Sequence, residues 1–329
     1  MIRYVLKRAM WVIPVMLGVL VIVFTLSYFT PGDPVTSLLG TNFTPEAYDR
    51  LSHEMGLDRP YLEQLWSYFW NLITKFDLGK SFSTNIAVRD EIAKRFPITL
   101  RLGLTSVCFT LILGLPLGII SAIKHYSILD TVLTSIALIL AAVPGFVLAL
   151  INIIVFGLKL KILPFTGLHS IKNYILPIAS NALAGVAVII RMTRATMLEV
   201  IRQDYIRTAR AKGQKEGIII SRHALKNCLI PIVTSISGQI AMVMSGSIIV
   251  ETLFAIPGMG TYMRAGLESR DYMVINANVL LISLVVCTIN LLVDIVYAFI
   301  DPRIKAQYTS SKKKEKAVKK ILSDSAEVA

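Results

Sequence analysis

Apolar residues in this chain do not alternate with polar ones in the short rhythms of a soluble fold. They collect into long runs separated by polar stretches. Six runs approach or exceed the roughly 20 residues needed to cross a bilayer as a helix: Ala9–Phe29, Leu100–Ile123, Val132–Leu158, Tyr174–Ile190, Leu229–Ile249 and Ala277–Ile300. The fourth is short and carries Pro177 and Gly185, so its helix is expected to continue through Arg191–Met197. The first run is too long for a signal-peptide core, and Pro-Gly-Asp-Pro follows it instead of a small-residue cleavage site, so it reads as a retained helix. The pattern predicts an all-α membrane protein with six transmembrane helices. It divides the chain into a short N-terminus (1–8), a first span (9–29), a polar region (30–97), a core (98–304) interrupted by a basic loop (191–228), and a tail (305–329).

Composition agrees with the pattern. Of 329 residues, 54% are hydrophobic, and the mean hydropathy is +0.65. The length would accommodate two soluble domains, but the apolar runs exclude that. The net charge of +13 is a topology signal more than a nucleic-acid signature, because base-stacking aromatics and a recognition fold are missing. Most of the 34 Lys and Arg fall before the first run, at Lys124, in the loop Arg191–Lys226 and after Ile300. By the positive-inside rule those segments face the cytoplasm, which makes this a multi-pass protein of a prokaryotic cytoplasmic membrane with both termini inside. Cys108, Cys228 and Cys287 fall in or beside apolar runs, which suggests buried thiols and no disulfide framework. The tail Lys312–Lys320 reads as a solvated basic segment attracted to anionic lipid.

Two outer segments have local structure of their own. In 30–97, Glu46–Met55 follows Thr44 as cap and Pro45 at the first helical position, and Pro60–Asp77 has amphipathic spacing through Tyr61, Leu65, Tyr68, Phe69 and Leu72. These helices form either a small cap over a pore entrance or an aromatic anchor at the membrane surface. The loop Glu251–Ile275 contains Pro257, Gly258 and Gly260. Such residues at membrane depth are tolerated where backbone is buried or lines water, so this is either a gate or an ordinary turn.

Between two apolar runs, Asp204–Gly213 reads Asp-Tyr-Ile-Arg-Thr-Ala-Arg-Ala-Lys-Gly. It predicts a two-turn helix with Asp204 as cap, cations in the last turn and Gly213 left-handed just beyond. A helix this short is marginal alone, so it needs a packed neighbour or a partner. Ala209 and Ala211 allow close approach, and Arg207, Arg210 and Lys212 offer charge to an acidic groove; the alternative is a plain connector.

Catalytic chemistry is poorly represented. His53, His125, His169 and His223 are not paired at metal-ligand spacing, and neither HExxH nor GxSxG occurs. Leu78–Ser81, Leu-Gly-Lys-Ser, has Thr74 where a phosphate-binding loop has its first glycine. Asp294 is the one acidic residue deep in an expected span. It is either an ion-coupling group or a structural charge partnered by Asn290 or a basic residue. A stand-alone ion-coupled transporter or channel and a membrane enzyme are therefore the competing classes.

Arg191–Val200, Tyr205–Gly213 and Ser221–Val233 together resemble the permease subunits of the oligopeptide/dipeptide/nickel ABC importers. Pro31–Pro34, Asp77–Phe82, Glu251–Gly260, Arg270–Tyr272 and Asp301–Ile304 resemble further signatures of that family, in family order. The resemblance covers Met1 to Ile304. It implies a type I ABC importer permease fold of the type with the longer first extracytoplasmic loop. The basic segment is similar to the family's EAA loop, whose coupling helix docks into the ATP-binding subunit. Arg207, Thr208 and Ala209 stand where the general pattern has Glu-Ala-Ala, and Gly213 at its glycine. The coupling residues implied are Tyr205, Arg207, Thr208, Ala209, Arg210, Ala211, Lys212 and Gly213. Glu251, Pro257, Gly258 and Gly260 form the outer loop. The implied partners are a second homologous permease, one or two ATP-binding subunits that hold the ATP and Mg2+, and an extracytoplasmic substrate-binding protein. No cofactor is expected in this chain. The expected cargo is an oligopeptide, with dipeptides and nickel chelates as alternatives, moved by alternating access.

Overall fold

The computed structural model describes residues 2–40 and 43–300. Expectations for the tail and for Asp301–Ile304 lie outside the described residues. Among the described residues thirteen α-helices follow in order: α1 Ile2–Phe29, α2 Pro34–Leu39, α3 Pro45–Met55, α4 Tyr61–Lys75, α5 Val88–Ile123, α6 Ile128–Ala142, α7 Gly145–Asn152, α8 Ile175–Ile201, α9 Asp204–Ala211, α10 Glu216–Ile218, α11 Leu225–Leu253, α12 Met259–Glu268 and α13 Tyr272–Ile300. Among the described residues there is no strand, only an isolated bridge between Lys80 and Ala87.

Among the described residues five helices are long and apolar enough to cross a membrane, and six spans result if one bent pair counts as one. That pair corrects the expectation for Val132–Leu158. α6 and the α7 segment meet at 102° instead of forming one straight helix. Pro144 causes the break. It has no N–H to donate and pushes the residue before it out of the helical region; Val143 sits at φ −86, ψ 124, extended. Beyond α7 the chain continues as a π-helical stretch, Ile153–Lys159. The fourth span does run on through Arg191–Met197, to Ile201. The second begins at Val88, well before Leu100, and holds Pro97 and Pro116 within it.

α8 is the centre of the bundle. It packs most extensively on α5 and also touches α6, α7 and α11, while α1 lies at the edge against α13. Lipid tails are as apolar as leucine, so helices in a membrane associate through close packing and hydrogen bonds, favoured by small residues. α5 supplies these along one stripe at four-residue spacing: Ser106, Thr110, Gly114, Gly118 and Ala122 are all buried. A Cβ at Gly114 would sit 2.8 Å from the Ile189 Cβ, and one at Gly118 2.7 Å from the Thr193 Cβ and 2.9 Å from the Ile190 carbonyl. α5 and α8 can approach this closely only because both positions are glycine.

At the edge of the bundle, α1 is tied to α13 near both of its ends, by Ser27 donating to Asn276 at 2.7 Å and by Arg8 on Asp294 at 2.9 Å. The basic partner is therefore the one Asp294 uses; Asn290 instead accepts from Ser237. The two helices expected in 30–97 form, with the Thr44 hydroxyl capping α3. α4 buries Tyr68 with Phe24, Leu20 and Leu280. The cysteines are free, Cys228 is buried, and Cys287 is half-buried, but Cys108 is exposed on the α5 face away from α8, which corrects the expectation that all three thiols are buried.

Gly118→Leu is expected to separate α5 from α8 and to destabilise the protein by at least the roughly 1–3 kcal/mol of an overpacked core. Gly18→Leu on α1, where nothing lies within 4 Å, is expected to be neutral. Thermal melting of the detergent-solubilised variants checks the contrast.

Candidate functional site: the α9 knob and the Glu251 elbow

α9 forms where the sequence places it, but its start differs in detail. Asp204 is the first helical residue, and Gln203 takes the cap position with no side-chain cap bond. Asp204 still favours the N-terminus as a charge. The C-terminus closes as a Schellman motif. Gly213 has φ +76, its N–H donates to the Arg210 carbonyl at 2.9 Å, and the Gln214 N–H reaches the Ala209 carbonyl at 3.3 Å.

The neighbour that holds this short helix is the chain's own bundle. Ile206 and Ala209 are buried in one apolar cluster with Ala122, Ile189, Met197, Ile219, Ala224, Cys228 and Ile232. Ala209 therefore faces inward, and the close approach it permits is to this chain's core. Three polar contacts fix the rest. The Asn227 amide donates to the Tyr205 hydroxyl at 2.7 Å. Gln214 and His223 meet at 2.9 Å. The Arg210 guanidinium is bidentate on Glu216, at 2.5 and 3.1 Å, and that carboxylate raises its already high pKa further. Arg210 is thus engaged within the loop. The outward face is left with Arg207, Thr208, Ala211 and Lys212, all exposed; Arg207 makes only a loose 3.8 Å pair with Asp204.

Sequence reasoning missed the ion pair that steadies this end of the bundle. Arg194 on α8 donates from Nε at 2.7 Å and from Nη2 at 2.9 Å to the buried Asp130 of α6. Asp130 also accepts from the Ser121 hydroxyl at 2.5 Å and the Tyr126 N–H at 3.1 Å. The available signal was charge at the rims of two apolar runs.

At the opposite end, the Glu251–Gly260 segment is an elbow between α11 and α12. Glu251 is fully buried. Its carboxyl accepts from the Thr99 hydroxyl at 2.6 Å, the Gly260 N–H at 2.7 Å and the Thr261 N–H at 3.2 Å. It therefore satisfies the free amides at the start of α12. Both glycines are needed for space. A Cβ at Gly258 would overlap the Glu251 carboxyl, and one at Gly260 would meet the Ile248 backbone. Pro257 leads into this turn. The segment is a corner of buried backbone held by the Glu251 carboxyl.

Three distant motifs meet beside that corner. Asp271, buried at the start of α13, accepts from the Ser81 hydroxyl at 2.7 Å and the Ser83 N–H at 3.2 Å. The Tyr272 hydroxyl donates to the Gly32 carbonyl at 2.7 Å. Pro31–Pro34, Asp77–Phe82 and Arg270–Tyr272 thus form one rim, and the serine of Leu-Gly-Lys-Ser serves that rim. Among the described residues no group of acidic, histidine or cysteine side chains is arranged to hold a metal.

Comparison with known proteins covers nearly the whole chain. Residues 114–306 match the family described as binding-protein-dependent transport system inner membrane component, and residues 1–103 match its N-terminal domain. A putative peptide transport system permease of Brucella abortus (strain 2308) is 38% identical over 310 residues, 92% of this chain and 98% of the relative. The dipeptide transport system permease of Alkalihalophilus pseudofirmus is 37% identical over 333 residues, 93% of this chain and 100% of the relative. The glutathione transport system permease of Escherichia coli (strain K12) is 39% identical over 305 residues, 93% of this chain and 99% of the relative. In fold, the chain is similar to an inward-facing structure of the MetNI methionine ABC transporter, with a TM-score of 0.55 at 19% identity, over 64% of this chain and 96% of that one.

Glu251→Ala is expected to strand the α12 amides and the Thr99 hydroxyl, at a cost on the order of 3 kcal/mol. Faster amide exchange at Gly260 and Thr261, with unchanged exchange in α9, is the expected readout.

Proposed function

The chain belongs to the inner-membrane permease components of binding-protein-dependent ABC transport systems, and on that premise we propose that it is one of two permeases in an ATP-driven peptide importer. It is a transport subunit and not an enzyme. Peptide, dipeptide and glutathione permeases among its relatives support a peptide-type cargo. Within that class an oligopeptide is the first reading, a dipeptide the next, and a nickel chelate the alternative carried by the wider resemblance. The N-terminus, α9 and the C-terminus lie on the cytoplasmic side, in keeping with the concentration of Lys and Arg there.

One observation carries the mechanism: α9 is seated in the core by Ile206 and Ala209 while Arg207, Thr208, Ala211 and Lys212 face outward. A helix of eight residues cannot hold its own shape in water, and here the bundle holds it. A push on its outer face is passed to α8 and α11 without being absorbed by unfolding. In this reading a binding protein delivers cargo to the outer rim, and ATP-bound partner subunits close. Their closure draws α9 and its counterpart together, the outer corner around Glu251 opens, and hydrolysis resets the cycle. ATP and Mg2+ are bound by the partner subunits. Coupling of this kind requires differential contact worth roughly 1–3 kcal/mol between the two states.

Ion coupling through Asp294 is the competing class. Its pairing with Arg8, a cation half-exposed at the edge of the bundle, favours a structural role.

Reconstitution into proteoliposomes with the partner subunits tests the reading, with uptake of labelled peptide expected only with ATP and the binding protein. Gly213→Pro cannot adopt φ +76 and removes an N–H, so it is expected to leave insertion intact and reduce ATP-dependent uptake by at least about tenfold, in line with coupling of roughly 1–3 kcal/mol. Undiminished uptake would sink the coupling role. Asp294→Asn is expected to change uptake less than about twofold, as befits a partly exposed pair; complete loss at normal expression would revive ion coupling.

A further inference from the structure

The short turn between α5 and α6 is unusual on the α9 face. Tyr126 has φ +65, in the left-handed region that glycine or asparagine ordinarily fills. Tyr126 is 87% exposed, Ile128 two residues on is 85% exposed, and Leu129 is 41% exposed. A bulky aromatic held in an unfavourable backbone conformation with its ring in the open requires that the surroundings over-determine the turn, and such outliers cluster where function needs them.

The surroundings do over-determine it. The Tyr126 N–H is held by Asp130 Oδ2 at 3.1 Å. The Ser127 hydroxyl caps α6 by accepting from the Asp130 N–H at 3.2 Å, and the Ser127 N–H returns to the Lys124 carbonyl at 3.0 Å. His125 Nδ1 lies 3.1 Å from Asp130 and 3.0 Å from Arg194 Nη2. Its ring backs that of Tyr126, with centroids 3.7 Å apart. Asp130 is itself clamped by Arg194 of α8. The turn is therefore locked to α8, the helix that carries α9. Ala122, one turn before it, belongs to the same buried cluster as Ile206 and Ala209.

We propose that the α5–α6 turn is a second contact surface for the ATP-binding subunit that engages α9, with Tyr126 and Ile128 as its anchors. This rests on the coupling reading of α9. The partner surface it fits is an apolar pocket with an acidic rim, because Lys124 flanks the anchors and Arg207 and Lys212 lie on the adjoining knob. Exposed tyrosines on rigid supports are the residues that carry interface energy. Two points of attachment, one on α9 and one on the turn clamped to α8 through Asp130, make the partner grip the end of α8 from both sides. Force is then delivered to that helix along its axis, where a single knob would let it rock.

The test uses the assembled importer with a photo-crosslinking amino acid placed singly at positions 126, 128, 207 and 112. Ile112 is a mid-span residue, 70% exposed. Positions 126 and 128 are expected to crosslink to the ATP-binding subunit, as is 207, and 112 is not. Crosslinking at 207 with only lipid adducts at 126 and 128 would overturn the second contact and leave the role of α9 intact. Absence of crosslinks at 207 as well would overturn both. Tyr126→Gly supplies an independent arm, because glycine keeps the left-handed turn and deletes only the ring. It is expected to weaken retention of the ATP-binding subunit by about tenfold, as loss of an anchor residue does, with normal folding; unchanged retention would contradict the proposal.

Discussion

The close contact between α5 and α8 is the constraint on which the rest of the molecule depends. A membrane offers no hydrophobic drive to bring two apolar helices together, so the contact rests on shape. Gly114 and Gly118 leave the hollows, and Ile189, Ile190 and Thr193 fill them. The α9 knob and the α5–α6 turn on the basic face are extensions of α8 or are braced against it. α9 follows two residues after α8 ends, α6 is clamped to it by the Asp130–Arg194 pair, and α11 packs along it. A displaced α8 would carry these segments with it.

Three buried carboxylates then pin the ends of the bundle: Asp130 on the basic face, and Glu251 and Asp271 on the other. Each accepts several donors, and each joins segments far apart in sequence. Buried charge is costly unless it is paired or hydrogen-bonded, and each of these carboxylates has its donors in place here. They therefore specify the corners more sharply than apolar packing would. Glu251 and Asp271 also do the work of helix caps, satisfying amides at the starts of α12 and α13. This corner thus joins α12 to the ends of two long helices through two acidic side chains, beside the buried apolar clusters around Phe254 and Tyr262.

Much of the fold was legible because its signals are local. Length and apolarity located the spans, and Thr44-Pro45 located α3. The basic ten-residue segment located α9, down to the left-handed glycine. The break in the third span was also written locally, in Val143-Pro144-Gly145, but an apolar count passes over it because all three residues suit a membrane. What was not legible depends on contacts between distant positions. Nothing in Asp77–Phe82 indicates that Ser81 will meet Asp271, and nothing in the α9 sequence tells that Ala209 faces the bundle while Arg210 is taken by Glu216. Asp130 and Arg194 stood in plain view as charges at the rims of apolar runs, and only the packing of α6 against α8 makes them a pair.

The central claim is that α9 and α8 move as one body when the partner subunits bind ATP. A spin label at Lys212, in a background without Cys108, Cys228 and Cys287, can be paired with one at the corresponding position of the partner permease in the reconstituted importer. Pulsed-dipolar spectroscopy then reads the distance between the two knobs. The account predicts that the distance shortens when ATP is held unhydrolysed, returns after hydrolysis, and is accompanied by an equal shift for a label on α8 near Glu199. A distance that stays constant through active turnover, or an α9 that moves while α8 does not, would contradict it.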